Sequence, residues 1–472
     1  MFDLRSCCLR AFRSAVAAVQ PYERVRTSLK VTKGSLSIGG RNYKLNHNVY
    51  LAAFGKAALG MVQGAEAVIG EHLVKGVASV PRKTLQKLAP GSHLKTRLFE
   101  GATNNLPDED SCNNAKMIEA MAKKLTANDL FLVLISGGGS ALLSAPIPTV
   151  SLAEKLATIK AMTSHGADIT QLNTVRIALS RLKGGRLALS AQPAQVVSLI
   201  ISDIVGDPLN LIASAPTVLT SNADVSQSDP IGILKKLATW DNVPKNVQIA
   251  LQESQKSQPP KKDVDVNNQI ISNNEVAIAG LAKILNEAGY ICHKVSNTVA
   301  KNAQTFGGEL SAIIKKVVSS DDPAEVLSKS TMSDMNLKCP NKDKFALLFG
   351  GECTVTLKGN GKGGRNQEIV LKALSDLIDM GPEEFYDFAL MSSGTDGQDG
   401  PTEAAGAVLT SDDLKYIRES GRWKKADIDS YLNNNDSYNF WKKFHDGACH
   451  VVTGPTGTNV MDVEVLLFKR KK

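Results

Sequence analysis

Glycine stands beside acids, bases or hydroxyls in five stretches of this 472-residue chain, and an apolar run leads into nearly every one. FLVLIS leads into Gly137, Gly138, Gly139 and Ser140, and VVSLIIS leads into Asp203 and, across Gly206, Asp207. FALLF leads into Gly350, Gly351 and Glu352, with a glycine-rich loop at 359–365 soon after. FALMSS leads into Gly394, Asp396 and Asp399, and HVVT leads into Gly454, Gly457 and Asn459. Glycines let backbone N–H groups close on an anion, as phosphate cradles require. Carboxylates in the same loops suit a hard metal ion. Together they point to an enzyme that handles phosphate.

The cations nearby sharpen that expectation. Lys56 follows Gly55 at the end of VYLAAF, where a helix is expected to begin. A cation at a helix N-terminus opposes the macrodipole, so contact with a transferring phosphate is a more natural purpose than helix support. Arg365 follows Gly363 and Gly364, and its planar guanidinium suits bidentate contact with phosphate or carboxylate; the plain alternative is pairing with Glu368. Lys183 and Arg186 flank Gly184 and Gly185, either as further substrate-facing cations or as ordinary C-capping. The pair Asp203 and Asp207 suits Mg²⁺ or general-base work, with Asx turns as the alternative, and Asp396 with Asp399 repeats the choice. Residues 453–459 and 433–438 add hydroxyl and amide groups that could orient a small polyol.

Other chemistries lack their signatures. There is no Gly-x-x-x-x-Gly-Lys-[Ser/Thr], no Gly-x-Ser-x-Gly and no protein-kinase motif pair. Gly359, Gly361 and Gly364 do match Gly-x-Gly-x-x-Gly. A dinucleotide site also needs an acid about 20 residues on, at the end of a second strand. Here 366–378 reads as a helix, so the loop is expected to cradle an anion at that helix's start.

The runs are short, and β-branched or aromatic, as buried parallel strands are. Residues 48–80 read strand, turn, helix, strand; 111–125 and 152–164 read as helices around the strand FLVLIS, and 174–190 carries basic residues at helical spacing before VVSLIIS. This alternation predicts a doubly wound, Rossmann-like α/β domain. The polar stretch 252–265, with Pro259 and Pro260, reads as a linker. The expected division is 1–255 and 256–472, the second part again α/β. Residues 319–344 lack clear periodicity and read as a surface excursion.

Composition bounds the rest. The net charge is +8, four of it from Lys469, Arg470, Lys471 and Lys472, and aromatics are 5%. Nucleic-acid binding wants clustered cations with stacking rings, so none is expected. No apolar run approaches the roughly 20 residues of a membrane span. Seven cysteines without a Cys-x-x-Cys suit free thiols in a reducing compartment. The first 29 residues hold five arginines and two acids. They read as an amphipathic helix with Leu4, Cys8, Phe12, Ala15 and Val19 on one face, with a mitochondrial presequence as the alternative. The cytoplasm is the expected location on the first reading.

AFGKAALGM, LISGGGSALL, LNTVRIALSRLKGGRLA, SDIVGDPLNLIASAPT, GGECTVTLKGNGKGGRNQE, GTDGQDGPTEAAGA and TGPTGTNVMD together closely resemble the class II glycerate kinases, the glycerate 2-kinases. The final third resembles their MOFRL module. The resemblance implies two α/β domains with an interdomain active-site cleft, and transfer of phosphate from MgATP to the 2-hydroxyl of D-glycerate. It implies ATP and Mg²⁺ as cofactors, no nucleic acid, no membrane, and is compatible with a homodimer. It matches the family's catalytic lysine, aspartate and arginine to Lys56, Asp203 and Arg365, Asp203 being also a candidate Mg²⁺ ligand. Gly137, Gly138, Gly139, Ser140, Lys183, Asp207, Gly363, Gly364, Asp396 and Asn459 are the expected nucleotide- or substrate-binding set. Ala215 stands where the family usually has glycine, which puts in doubt any need for a positive φ there. The rival activities are a nicotinamide-dependent hydroxypyruvate reductase and a non-catalytic sensor of sugar acids or nucleotides.

Overall fold

The computed structural model describes residues 3–88, 91, 93–102, 106–219, 229–256, 264–329 and 337–472. The chain forms two compact units, Pro21–Ile271 and a second made of Met1–Gln20 with Ser272–Lys472. They are called here the N-terminal and C-terminal units.

A six-stranded sheet organises the N-terminal unit. Its strands are β1 (Val49–Phe54), β2 (Leu73–Pro81), β3 (Thr96–Gly101), β4 (Leu130–Ile135), β5 (Gln195–Ile201) and β6 (Val266–Ser272). The spatial order is β3-β2-β1-β4-β5-β6. The pairs from β3 through β5 run parallel. Every residue of β4 is buried, as are all but the first of β5, which is why these runs read as unbroken apolar sequence. Helices Ala58–Ile69 and Glu109–Ala122 make crossovers within the sheet. Helices Leu152–Ser164, Ile169–Ala178, Pro230–Lys236 and Lys245–Lys256 share a smaller separate core around Met162, Val175, Leu234 and Leu251.

The C-terminal unit holds a second six-stranded sheet. Its strands are β7 (Ile291–Lys294), β8 (Lys344–Gly351), β9 (Tyr386–Gly394), β10 (Gly406–Thr410), β11 (His450–Val451) and β12 (Asp462–Arg470), in the order β7-β8-β12-β9-β10-β11. Helices Ala303–Val318 and Arg365–Leu377 share its core with Phe345, Phe349, Phe388, Trp441 and Phe468.

Three expectations are corrected. First, this sheet is mixed rather than parallel: only β7 pairs with β8 in parallel, and the run VEVLLF forms a central antiparallel strand, β12, between β8 and β9. Because β8 and β9 both oppose β12, their carboxyl ends meet its amino end at one sheet edge, where Gly351 and Gly394 both register with Asp462. Second, the division at 255/256 falls one strand early, since β6 completes the first sheet. Third, the helix Leu4–Ala18, capped by Asp3, belongs to the C-terminal unit. It crosses helix Asn274–Glu287 so closely that a Cβ on Gly280 would lie 2.9 Å from the Ala15 Cα. Pro259 and Pro260 of the expected linker lie outside the described residues, as does 330–336 of the expected excursion. The preceding part of that excursion is ordered as helix Pro323–Ser328, capped by Asp322.

Candidate functional site

In the N-terminal unit the strand order reverses between β1 and β4, so the topological switch point lies beyond their carboxyl ends. Lys56 and the loop 137–140 are the residues placed there. Gly55 turns the chain with φ 133, after which the Lys56 N–H donates to the Gly137 carbonyl at 2.8 Å and the Ala57 N–H to Ser136 Oγ at 3.1 Å. The two strand ends are thus stitched together. The Lys56 side chain is exposed and forms no ion pair among the described residues.

Asp203 leaves the end of β5 and lays its carboxylate on the Gly137 backbone, where a Cβ would overlap it. A side chain at 137 would displace the acid. Burial raises the Asp203 pKa, and the nearby Lys56 charge acts the other way. Asp207 ends the same turn in a left-handed conformation, φ 54, its N–H donating to Ile204 O at 3.1 Å. Gly138, at φ 77, caps the short helix Gly139–Leu142.

Lys183 does not reach outward as a substrate-facing cation would. It is 1% exposed, and its Nζ donates to the carbonyls of Ser140 at 2.9 Å and Ala213 at 3.4 Å. It acts on loop 137–140 from within. Arg186 follows the capping alternative, with Nη1 donating to Ile177 O and Ser180 O at 2.5 Å each. Opposite Ser140, residues Ala213, Ser214 and Ala215 all take left-handed backbone, with φ 51, 61 and 58. The doubt about a positive φ at 215 is therefore resolved against it: the conformation is kept and alanine bears its strain.

In the C-terminal unit the sheet edge at Asp462 gathers the polar residues. Arg365, first residue of helix Arg365–Leu377, is bidentate to buried Asp462 through Nε and Nη2, the latter at 2.9 Å. Its Nη1 meets Glu352 at 2.9 Å. Burial would lower the Arg365 pKa, but the charge and hydrogen bonds of Asp462 outweigh it, so the net shift is upward. Glu368 is not its partner: that carboxylate accepts from Gln304 and Asn435. Next to Asp462 on β12, Glu464 is 2% exposed and its carboxyl is pushed up to about 8, by burial and then by the charge of Asp462.

The glycine-rich loop is not an open anion cradle. The N–H groups of Lys358 and Gly359 donate to Asn435 Oδ1, that of Asn360 to Asn434 Oδ1, that of Gly361 to Asn434 O, and that of Lys362 to Asp436 Oδ1. The amides of Asn434 and Asn435, in the stretch 433–438 expected to orient a polyol, are occupied in holding this loop. At the helix start the protein supplies its own anion: the Asp399 carboxylate accepts from the N–H groups of Asn366 at 3.1 Å and Gln367 at 2.9 Å. Burial pushes the Asp399 pKa up to about 6 against those bonds. Side chains at Gly363 and Gly364 would strike Ser437 and Asp399. Asp396 and Asn459 both make Asx turns, accepting from the N–H groups of Gln398 and Met461 at 3.0 Å each.

Asp462 is the clearest residue that the sequence reading passed over. It stands inside TGPTGTNVMD, at the mouth of the last apolar run, and only its position before that run marks it. Glu352, already in a loop of interest, received no role either.

Comparison with known proteins places both units. Residues 7–252 match a domain of unknown function, DUF4147, and residues 345–462 match the MOFRL family. A glycerate kinase of Rattus norvegicus is 41% identical, the alignment covering 97% of this chain and 92% of that protein. A glycerate 2-kinase of Pyrococcus horikoshii is 32% identical over 100% of this chain and 98% of its own. The crystal structure of a glycerate kinase from Thermotoga maritima superposes with a TM-score of 0.78 at 30% identity, covering 98% of this chain and 99% of that one.

Proposed function

The chain belongs to the glycerate kinase family, and from that premise we propose that it transfers a phosphoryl group from ATP to the 2-hydroxyl of D-glycerate. The observation that carries the reading is similarity to glycerate kinases along the whole chain. The geometry supports it, with an uncommitted lysine at the switch point and a carboxylate packed on the adjoining glycine loop.

Phosphoryl transfer needs positioning and charge stabilisation more than covalent help. Lys56, exposed and unpaired, neutralises charge on the transferring group. The N–H groups of Gly137, Gly138 and Ser140, with the Ser140 hydroxyl, hold phosphate oxygens, that of Gly139 being given to Ser136 O. Among the described residues no three metal-binding side chains cluster. Mg²⁺ usually keeps waters and takes one or two carboxylates with substrate phosphates, and Asp203 fits as that carboxylate. When bound, the ion would shield phosphate charge. Asp203 otherwise accepts the glycerate hydroxyl proton, a task its raised pKa suits. Arg365, fixed by Asp462 and Glu352, keeps two of its five N–H groups for an anionic substrate group.

The reductase alternative has no support. Its only glycine fingerprint spends the N–H groups of 359–362 on residues 434–436. The deciding assay supplies MgATP and D-glycerate and couples the product through enolase. Signal without phosphoglycerate mutase establishes the 2-phosphate. Signal only with mutase would establish the 3-phosphate and reject the regiochemistry. No signal in either, with NADH consumed on hydroxypyruvate, would reject the kinase.

A further inference from the structure

Three cations that act on one another's charge lack an ion-pair partner among the described residues, and two of them reach loop 137–140. Lys155 projects from helix Leu152–Ser164 and is 5% exposed; Lys183 is 1% exposed; Arg176, from helix Ile169–Ala178, is half-buried. None forms an ion pair with a carboxylate among the described residues. The acids on neighbouring elements are engaged elsewhere. Glu119 pairs with Lys123 at 2.7 Å and Arg181 at 3.0 Å, and Glu154 closes its own capping box with Ser151. Lys155 Nζ has no hydrogen-bond acceptor among the described residues.

The three groups sense one another, and two of them, Lys183 and Arg176, lead to a single residue, Ser140. Burial depresses the Lys183 pKa, and the charges of Lys155 and Arg176 add to it. Burial likewise brings Lys155 down to about 8, with the Cys112 thiol opposing and Arg176 reinforcing. From Arg176 a hydrogen-bond chain runs through Asn173 Oδ1 (3.4 Å) and Ser214 Oγ (2.9 Å onward) to Ser140 Oγ (3.0 Å). Lys183 reaches the same residue at its carbonyl, 2.9 Å away. Ser140 itself is half-buried, so its polar face is reachable.

A buried cation without a partner costs stability, because its lost hydration is not repaid. Packing alone would place a leucine or methionine at 155. Side chains that carry or can take up positive charge, with no acid among them, favour an anion at the nearest accessible polar surface. We propose that Lys155, Arg176 and Lys183 form a cationic floor beneath loop 137–140 that draws an oxyanion onto Ser140, either the polyphosphate of the nucleotide or the carboxylate of glycerate. The proposal deepens the kinase reading and rests on it for the identity of those two anions.

Isothermal titration of the full-length protein with inorganic tripolyphosphate, and separately with D-glycerate, tests the floor without any phosphoryl transfer. Lys155→Met removes the charge and keeps the stem. It should bind tripolyphosphate on the order of tenfold more weakly, while its thermal midpoint stays level or rises because an unpaired buried charge is gone. If glycerate affinity falls instead, the floor stands and its anion is the carboxylate. Should Lys155→Met not fold, half-buried Arg176→Gln, which can keep the bond to Asn173, decides by the same titrations. A folded variant with unchanged affinity for both anions overturns the proposal, as does a parent protein that binds neither. Because no turnover is measured, that failure leaves the kinase reading standing. Loss of the kinase reading, with charge-dependent tripolyphosphate binding intact, would leave the floor standing.

Discussion

Lys56 and Arg365 are both cations that follow glycine at a sheet edge, yet the two units treat them in opposite ways. In the N-terminal unit all the strand ends around the switch point come from parallel pairs; Asp203 feels the Lys56 charge but forms no ion pair with it, and Lys56 remains exposed. In the C-terminal unit the antiparallel strand β12 carries Asp462 to the edge between β8 and β9, and Arg365 is locked to it and to Glu352. A parallel sheet leaves its carboxyl edge to loops, whereas an antiparallel insertion delivers a strand-borne acid there. One cation is free to meet substrate charge; the other is held rigid by two acids and offers only the remaining part of its guanidinium.

Substituting the two cations should separate these situations. Arg365→Ala leaves Asp462 buried without its partner, and stripping one member of a buried pair costs roughly 3 kcal/mol. It should therefore lose both activity and denaturant stability. Lys56→Ala should lose on the order of 10²–10³ in kcat, as for one preorganised charge contact, with stability within about 0.5 kcal/mol of the parent. Equal stability loss in both variants would erase the contrast.

Asp203→Asn comes next in expected effect. If Asp203 ligates Mg²⁺, the Mg²⁺ concentration for half-activity rises. If it takes the hydroxyl proton, kcat falls with that concentration unchanged. Normal kinetics at every Mg²⁺ level would remove it from the site.

The C-terminal edge should also show a pH signature of its own, carried by Glu464 on β12. Glu464 has its folded pKa raised from 4.5 to about 8. Across that window the native state holds a proton that the unfolded chain has released, so stability falls as pH rises from about 4.5 to 8. Glu464→Gln removes this term. Chemical denaturation should find the variant close to the parent at pH 4.5 and more stable by on the order of 1–3 kcal/mol at pH 8.5. Parallel curves for variant and parent would show that Glu464 is ionised throughout. The smallest effect is at the N-terminal edge, where Ala215 holds φ 58. Relief of left-handed strain outweighs glycine's greater unfolded entropy, so Ala215→Gly should stabilise by roughly 0.5 kcal/mol. A loss of stability there would mean that the alanine methyl contributes packing beyond its strain.

Much of this was legible along the chain. The apolar runs marked the four central strands of the first sheet, β1, β2, β4 and β5, while β3 went unread and β6 was assigned to the second part; Gly55, Lys56 and 137–140 fell at the switch point once the central strands were ordered. Arg365 was recognisable by its glycines. Its partners were not, because Asp462 lies 97 residues away and nothing in local spacing links the two. The loop 359–362 misled for the same reason: its glycines announced an anion cradle, while the groups that fill it lie at 434–436, about seventy residues on.

The sequence by itself determined the local terms, because they depend on neighbours in the chain. Burial alternation and unbroken apolar runs set the strands, Ser151 with Glu154 and Asp168 with Gln171 cap their helices, and glycines mark the turns. Tertiary structure alone decided which charges stay available. Lys183 and Lys56 are both lysines beside glycine, yet one is sunk beneath the loop and the other is left in solvent. Desolvation and ion pairing act through space between residues distant in the chain, and no periodicity of residue type records them.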